Sequence, residues 1–369
     1  MSTIKVTNIE HGSTTDGGIQ LDSSGHVTID GQQLPTAGAL GVRNRIINGD
    51  MRIDQRNNGA SVTSGYPVDR FQIEAFSGGG AADVEQVVDS PTDSFYYSMK
   101  VDVTTADTSL ADGDFYTIRT IVEGNDVVDF RYGLTGAKTV TLSFWVKSNL
   151  TGTFCAALGN GANNRSNPKE YTISTADTWE HKTLTFTGDT SGTWEKGNAR
   201  GLQVRFSLGS GSTRQGTVDT WNTSEVHCTS NQTNLFASTS NEWYVTFEHR
   251  SFGYELARCQ RYFARSYAYG TATGTATRDG AVNSTAYSTI GYASAGTAFF
   301  PVEMRTAPSV TIYSTNDGGT SEVSADSTDG GGTVGFTSTR STFIRRNNDS
   351  AGVAANVYIA AHYVAEAEL

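Results

Sequence analysis

Between residues 43 and about 250, apolar and polar residues alternate with a period of two, which is the pattern of half-buried β-strands. In residues 140–147, Leu142, Phe144 and Val146 share one face of the predicted strand, and Trp145 lies on the other face. Clusters of turn residues separate the alternating stretches. Many short strands at this spacing predict a β-sandwich or a barrel. The clearest stretches are 140–147, 182–187, 202–208 and 243–248.

The stretch 202–208 predicts most explicitly which side chains are buried. Its even-numbered residues, Leu202 to Leu208, are all apolar, so they should face the core. The intervening residues Gln203, Arg205 and Ser207 should then point outward.

One convincing helix is predicted, over residues 254–267. Just before and within it, Phe252, Leu256, Cys259 and Phe263 recur at steps of four, three and four and form a single apolar seam. This seam fits a helix packed on its own domain, and it also fits a short helical junction packed about a threefold axis. Since the pattern covers about two heptads at most, it leaves both interpretations open.

The regions before and after the central strands complete the predicted organisation. Residues 1 to about 34 alternate weakly, with a hairpin turn at 22–25, and they hold too few apolar residues to close a core alone. Such strands gain stability by pairing with copies of themselves or by docking on another protein. The predicted divisions are an N-terminal attachment and oligomerisation segment with its linker (1–42), a β-sandwich (43–250), a helical junction (251–269) and a C-terminal β knob (270–369).

The composition favours an all-β protein and argues against several functions. The chain has 369 residues, of which 40 are Gly, 6 are Pro and 18% are charged, whereas helical enzymes carry surfaces rich in Glu and Lys. A net charge of −11 argues against nucleic acid as a partner, because phosphate binding requires clustered Lys and Arg. No stretch approaches the roughly 18 apolar residues of a membrane span, so we expect no membrane insertion.

The cysteines and the N-terminus bear on where the protein is made. Cys155, Cys228 and Cys259 show no CxxC spacing, which indicates free thiols in a protein synthesised in a reducing cytoplasm. The first 30 residues lack the basic start and the apolar run of a signal peptide. If the protein works outside a cell, we expect it to arrive there as part of a particle.

Motifs for catalysis or cofactor binding are missing or weak. Neither GxSxG nor a P-loop occurs, and the GxGxxG match at 330–335 precedes strand-like residues instead of the helix that a dinucleotide needs, which indicates a glycine turn. His227 and Cys228 are adjacent, so on a strand they would point to opposite faces. We therefore expect no enzyme activity, no cofactor and no metal. The acidic stretch 107–114 could hold a structural Ca²⁺, although a plain acidic turn is the favoured interpretation.

Three parts of the chain carry a family resemblance. Residues 43–71, RNRIINGDMRIDQRNNGASVTSGYPVDRF, resemble the start of a jelly-roll module found in tail fibres and other appendage proteins of tailed bacteriophages. Residues 247–263 resemble the segment that follows this module, and 300–308 with 365–369 resemble a C-terminal knob that often comes after it. One departure is that the strand with a Gln-Leu-Glu-like core, usual in relatives before Phe247, is missing here, which weakens the transfer of any binding face.

The resemblance implies both a fold and a role. The fold is a jelly-roll β-sandwich followed by a short helix and a smaller C-terminal β-sandwich knob, with an extended N-terminal β segment. The role is that of a homotrimeric tail-fibre subunit of the virion, attached to tail or neck proteins through residues 1–42 and adsorbing to host cell-surface polysaccharide. One alternative is a capsid or neck decoration fibre. Another is a glycan-degrading tailspike, since its paired carboxylates can lie far apart in sequence, although the long internal repeat of such enzymes is missing.

Sugar binding is the remaining question about sites. Carbohydrate-binding jelly rolls present aromatic rings to the apolar faces of sugars, with polar side chains nearby for the hydroxyls. Trp145 shares the outward face of its strand with Lys147, whereas three other tryptophans lie among turn residues. The alternative is that Trp145 packs against the second sheet and the loop tryptophans cover the edges of the core. The candidate glycan contacts are Trp145, Trp179, Trp194, Arg205 and Trp221.

Overall fold

The structure, a computed structural model, is all-β, as predicted from the sequence. It describes residues 44–74, 78–286, 293–347 and 353–369 in full, together with the backbone of four short strands before residue 44. The chain divides into two compact units, residues 1–45 and residues 46–369.

The first unit contains a four-stranded antiparallel sheet whose strand order follows the chain. Strands β2 and β3 pair with Leu21 opposite Val27, which confirms the predicted hairpin. The turn itself and the linker predicted at the end of the segment 1–42 lie outside the described residues. The strands are β1 (Asn8–Ile9), β2 (Ile19–Leu21), β3 (Val27–Ile29) and β4 (Gln32–Gln33).

The second unit begins with a jelly-roll β-sandwich of two antiparallel sheets. One sheet has five strands in the order β13-β10-β15-β8-β7, and the other has six in the order β12-β11-β14-β9-β6-β5. The strands are β5 (Gly65–Val68), β6 (Phe71–Glu74), β7 (Ala81–Val87), β8 (Ser98–Thr105), β9 (Phe115–Glu123), β10 (Val140–Ser148), β11 (Gly152–Asn160), β12 (Ser166–Ile173), β13 (Glu180–Phe186), β14 (Arg200–Ser210) and β15 (Glu242–Thr246). A one-turn helix, α1 (Gly124–Val127), follows β9.

The two sheets enclose one large apolar core, and the predicted strand faces are confirmed there. Leu142, Phe144 and Val146 of β10 are buried, as are the four apolar residues of β14. Phe144 and Phe206 pack edge to face across the sandwich with ring centroids 5.0 Å apart. Trp243 of β15 is fully buried in the same core. Contacts between the inward faces of both sheets therefore provide the main apolar stabilisation of the sandwich.

The prediction that Gln203, Arg205 and Ser207 lie on an accessible surface is wrong. They do point away from the apolar core, yet all three are buried, with Arg205 only 1% exposed. The segment after β14 folds back across this face of the six-stranded sheet. Gln232, for example, donates from Nε2 to the carbonyl of Ser207 at 3.1 Å. Both faces of β14 are therefore covered, one by the second sheet and one by a distant loop.

The second helix is shorter than predicted. Helix α2 (Phe252–Gln260) ends before residue 261, because Phe263–Arg265 form strand β16 and pair with the last strand of the chain. Cys259 is buried on its own chain beside Ile47 and Tyr262, whereas Phe252 is exposed. The seam thus packs at least partly on its own domain.

Among the described residues, no helix has the length and apolarity needed to cross a membrane.

Eight strands, β16 to β23, form the smaller C-terminal β structure around an alanine-rich core. Strand β23 joins its parts, because its first half pairs with β17 and β20 and its second half with β16 and β19. The strands after β16 are β17 (Val282–Ala286), β18 (Ala293–Phe299), β19 (Ser309–Tyr313), β20 (Glu322–Ala325), β21 (Thr328–Thr337), β22 (Ser341–Arg346) and β23 (Val357–Glu366).

The glycine run at 330–335 is not a turn, contrary to prediction. It lies inside β21, which pairs with β20 and β22. A Cβ at Gly332 would overlap the side chains of Ile312 and Val323. A glycine here lets these apolar residues pack closely against the strand backbone.

The stretches that carry the family resemblance meet at the junction between the sandwich and the C-terminal strands. The amide of Phe247 donates to the carbonyl of Gly49 at 2.9 Å. Gln55 donates from Nε2 to the carbonyl of Phe263 at 3.0 Å. The amide of Ala367 donates to the carbonyl of Tyr262 at 2.7 Å. Segments distant in sequence, 208 residues apart in the case of Gln55 and Phe263, are thus joined by hydrogen bonds to backbone carbonyls.

Buried charges reinforce this junction. Arg56 forms ion pairs with Asp69 at 3.2 Å and with Glu368 at 3.0 Å. Arg70 also forms an ion pair with Glu368, and its guanidinium lies over the ring of Tyr262 at 3.5 Å. Burial raises the pKa of Asp69 to about 6, although Arg56 opposes the shift. The residues that carry the resemblance therefore join the two β structures of this unit.

Candidate functional site

The solvent-facing side of the five-stranded sheet carries a row of aromatic and charged side chains. Trp145 of β10 lies opposite His181 of β13, and Lys147 lies opposite Tyr244 of β15. These positions alternate with the core residues of the same strands, so the two-residue period of a strand places them on one surface. We call this surface the Trp145 face, defined by Asp89, Lys100, Trp145, Lys147, Trp179, His181, Glu242 and Tyr244.

The rings of the Trp145 face are held in place but remain partly accessible. Trp145 and Trp179 are both half-buried. The ring centroids of Trp145 and His181 are 5.1 Å apart, and those of Trp179 and Tyr244 are 6.2 Å apart. The Nζ atom of Lys147 lies 5.5 Å from the centroid of Trp179 and 4.1 Å from that of Tyr244, within the range of cation–π attraction.

Asp89 organises one end of the face. It accepts a hydrogen bond from Nε1 of Trp179 at 3.0 Å and forms an ion pair with Lys147. Burial acts to raise the pKa of Asp89, but the hydrogen bonds from Lys147 and Trp179 outweigh it and keep the pKa below its usual value. The carboxylate therefore stays charged at neutral pH and orients the indole ring of Trp179.

Lys100 and its carboxylate partners form a second charged group, on the side of Tyr244 away from Lys147. Lys100 pairs with Glu242 at 2.7 Å and with Asp102 at 3.0 Å, and the Tyr244 hydroxyl donates to Glu242 at 2.8 Å. Burial acts to lower the pKa of Lys100, but its bonds to the two carboxylates raise the pKa overall. Burial, and then the bond to Glu242, raise the pKa of Tyr244. Lys100 therefore stays charged and Tyr244 stays a neutral phenol.

The arrangement suits binding of a polar ligand with apolar faces. Exposed edges and faces of Trp145 and Trp179 can pack on the C–H face of a sugar ring, and the charged groups beside them can bond its hydroxyls. The carboxylates Asp89 and Glu242 are each paired with a lysine. Such pairing holds both carboxylates ionised, a state suited to accepting hydrogen bonds from a ligand.

Two of the predicted contacts lie at an end of the sandwich instead. Trp194 is only 7% exposed and belongs to the core, where its ring meets Tyr132 at 4.7 Å and Trp221 at 5.5 Å. Trp194 donates to Asp189, and Trp221 donates from Nε1 to the carbonyl of Thr187 at 2.9 Å. Trp194 and Trp221 thus cover the edge of the core, as the alternative interpretation expected of the loop tryptophans. Their role as glycan contacts stays a prediction.

Arg205, the fifth predicted contact, lies in a third place. It binds Glu74 through two hydrogen bonds of 2.7 and 3.2 Å and reaches Glu225 at 3.0 Å. Arg119 also pairs with Glu74, and His227 lies fully buried beside Glu225. Burial lowers the pKa of His227, which favours the neutral imidazole. The five predicted contacts therefore fall in three separate places, and only Trp145 and Trp179 lie together on an accessible face.

Acidic side chains bear on the question of a metal site at two places. In the loop at 107–114, Asp107 accepts from the hydroxyl of Tyr116 at 2.8 Å, and Asp114 accepts from the amide of Ala111 at 2.8 Å. These bonds fit the acidic-turn interpretation. Elsewhere in the described ranges, Asp317, Glu322 and Asp329 bring carboxylate oxygens within 4.8 Å of one another, which is the spacing a cation would need.

Sequence reasoning missed several members of the Trp145 face. Tyr244 could have been found, because the alternation in 243–248 places it on the other face of the strand from the buried Trp243. Asp89 and Lys100 gave no such signal, since each reaches the face from a strand or loop distant in sequence. Asp89, for example, is 90 residues from Trp179.

Comparisons with known proteins show only weak similarity. No protein-family model and no curated protein matches the chain. Among solved structures, the enzymatically active domain of tailspike protein 4 of bacteriophage CBA120 is similar over 55% of this chain and 20% of that one, at 13% identity and a TM-score of 0.29. The chain thus spans about a fifth of that tailspike chain.

Two binding modules among the solved structures match with similarly low identities and TM-scores. TmCBM61 in complex with β-1,4-galactotriose matches 56% of this chain and 95% of its own, at 10% identity and a TM-score of 0.27. The N-terminal cellulose-binding domain of Cellulomonas fimi β-1,4-glucanase C matches 53% of this chain and 97% of its own, at 15% identity and a TM-score of 0.25. TM-scores this far below 0.5 assign the chain to no family and to no activity.

Proposed function

We propose that the protein is a virion appendage protein, a homotrimeric tail-fibre subunit of a tailed phage, that binds host-surface glycans through the Trp145 face without cleaving them. The observation that carries this proposal is the pairing of two half-buried tryptophans, Trp145 and Trp179, with fixed charged partners on a solvent-facing sheet. The family resemblance in residues 43–71 supports the virion role. Residues 1–42 would attach the subunit to tail or neck proteins.

Glycan binding is tested with variants that each remove one aromatic ring from the proposed face. An array of bacterial-surface oligosaccharides identifies a bound glycan, and titration calorimetry then measures its Kd. We expect Trp179→Ala and Trp145→Ala each to weaken binding by about tenfold, because loss of ring stacking costs on the order of 1.4 kcal/mol. Tyr254→Ala is the matched control, since Tyr254 is an exposed aromatic on α2 outside the face. Unchanged Kd values in both tryptophan variants would remove this face from consideration.

Binding without cleavage has its own measurement. The protein is incubated with the bound polysaccharide, and reducing ends are counted over time. We expect no increase over a heat-inactivated sample, since the carboxylates of the face are paired with lysines. New reducing ends would favour the tailspike alternative. Labelling residues 1–42 and imaging whole particles would separate a tail fibre from a capsid or neck decoration fibre.

The trimer is tested by light scattering of the purified chain. We expect a solution mass near three times 39.4 kDa, because thin N-terminal strands gain stability by pairing with copies of themselves. Trimeric chains would also bind a repetitive glycan surface with avidity. A monomer at all concentrations tested would contradict the trimer.

A further inference from the structure

A cavity of about 480 Å³ opens where the end of the sandwich meets the C-terminal β structure. Its volume lies within the roughly 300–1,000 Å³ usual for small-molecule sites. The polar groups of its wall come from both β structures: Thr193, Glu195 and Arg200 from the sandwich, and Arg305 from the segment before β19. The cavity is distinct from the Trp145 face, so its use does not depend on glycan binding there.

Arg305 is fixed in the wall of this cavity entirely by carbonyl oxygens. It donates from Nε to Ala367 at 2.8 Å, and from its two terminal nitrogens to Asn198 at 3.0 Å and Glu368 at 2.8 Å. Asn198 in turn donates from Nδ2 to the carbonyl of Arg305 at 3.0 Å. These bonds orient the guanidinium rigidly, but carbonyl dipoles leave its full positive charge without a counter-charge.

Arg200 supplies a second positive charge to the same cavity. It begins β14, and its guanidinium makes no hydrogen bond or ion pair with any of the described residues. Arg305 likewise has no carboxylate partner in the described part of the chain. Arg200 therefore remains available for bidentate bonds to a carboxylate or phosphate. Arg305 keeps the two N–H groups that its three carbonyl bonds do not use.

Glu195, the acidic side chain among the described residues of the cavity wall, bonds to the backbone amides of the two residues that follow it. Glu195 accepts hydrogen bonds through Oε1 from the amides of Lys196 at 3.0 Å and Gly197 at 2.6 Å. It forms no ion pair with Arg200 or Arg305. Among its side chains the wall therefore carries two guanidiniums and one carboxylate, an excess of positive charge that favours an anion.

The backbone around Arg200 is also built for close approach. A Cβ at Gly161 would overlap the carbonyl oxygen of Arg200, so only glycine lets the turn after β11 pack against the start of β14. This packing shapes one wall of the cavity and limits the positions open to Arg200. The backbone that carries Arg200 and the guanidinium of Arg305 are therefore held in place before a ligand binds, which lowers the entropic cost of binding.

We propose that this cavity binds an acidic saccharide, whose anionic group is held between Arg200 and Arg305. The volume exceeds what a lone anion needs, and the side chains of Ala162, Ala199 and Leu369 give the wall an apolar part against which a sugar ring can pack. The anionic group is a carboxylate, as in a uronic acid, or a phosphate.

The test measures binding of simple probes to the full chain by calorimetry. The probes are D-glucuronate, inorganic phosphate and, as the neutral control, D-glucose. We expect one or both anions to bind, binding to weaken as salt rises, and glucose not to bind. Glucuronate alone would identify a carboxylated sugar, and phosphate alone a phosphorylated one. Absence of binding by both anions, or equal binding of glucose, would overturn the proposal.

Two variants with the same charge change locate the site. Arg200→Gln removes a guanidinium that has no partner in the described residues, so it should fold normally and weaken anion binding by about tenfold. Arg340→Gln removes an exposed arginine outside the cavity wall and should bind like the wild type. Trp145→Ala should also bind the anions normally. Equal anion binding by Arg200→Gln and the wild type would contradict the proposal, whatever the outcome at the Trp145 face.

Discussion

Replacing Arg70 by alanine is expected to lower the free energy of unfolding by about 3 kcal/mol. Arg70 is 2% exposed, pairs with Glu368 and donates to the carbonyl of Ile121 at 2.5 Å. Its removal leaves a buried carboxylate with less positive charge around it, and it also removes the cation that lies over Tyr262. The expected loss is at the lower end for a broken buried pair, because Arg56 still neutralises Glu368.

The measurement is urea denaturation followed by tryptophan fluorescence. Glu368→Gln and the double variant complete a cycle, in which we expect the two single losses to sum to more than the double loss. Arg52→Ala is the control, since its ion pair with Asp50 is long, at 3.9 Å, and Arg52 is more exposed. It should cost less than about 1 kcal/mol. Additive losses for Arg70 and Glu368 would show that the pair does not stabilise the junction.

Replacing Arg205 by alanine is expected to cost about 3–5 kcal/mol of stability. Arg205 is the shared partner of Glu74 and Glu225, and it also donates to Asn163 and Gln203. Its loss leaves two largely buried carboxylates with fewer partners and opens a cavity behind the loop that covers β14.

This variant also separates a structural role of Arg205 from a role in binding. We expect a lower unfolding midpoint, and an unchanged Kd for the glycan in protein that remains folded at low temperature. Lys138→Ala is the control, because Lys138 and Asp129 form an exposed pair at 3.9 Å that should contribute little. A normal midpoint with a weakened Kd would instead make Arg205 a glycan contact.

The contacts of Arg70 show that the motif at residues 43–71 is tied to the fold of this unit. Its charged residues Arg56, Asp69 and Arg70 are directed toward the junction with Tyr262 and Glu368. Loss of these contacts would loosen the attachment of the C-terminal β structure to the sandwich.

Local patterns in the sequence were sufficient to predict the all-β class and the inward faces of the main strands. The period of two is a property of the strand backbone, so Leu142, Phe144 and Val146 had to share a face wherever the strand lay. The hairpin between Leu21 and Val27 followed from the turn residues between them. These features depend on neighbours within a few positions along the chain.

Contacts between residues far apart in sequence decided the end of helix α2, the burial of Arg205 and the surroundings of the candidate tryptophans. Helix α2 ends early because Phe263–Arg265 pairs with the last strand of the chain. Arg205 is buried because the segment around Glu225 covers its sheet. Trp145 and Trp179 were candidates from sequence, but only the folded chain places Asp89 and Tyr244 beside them. Sequence alone thus determined which strands form and which side of each is apolar. Which polar sides meet water was decided by tertiary structure, because exposure depends on segments that pack from far along the chain.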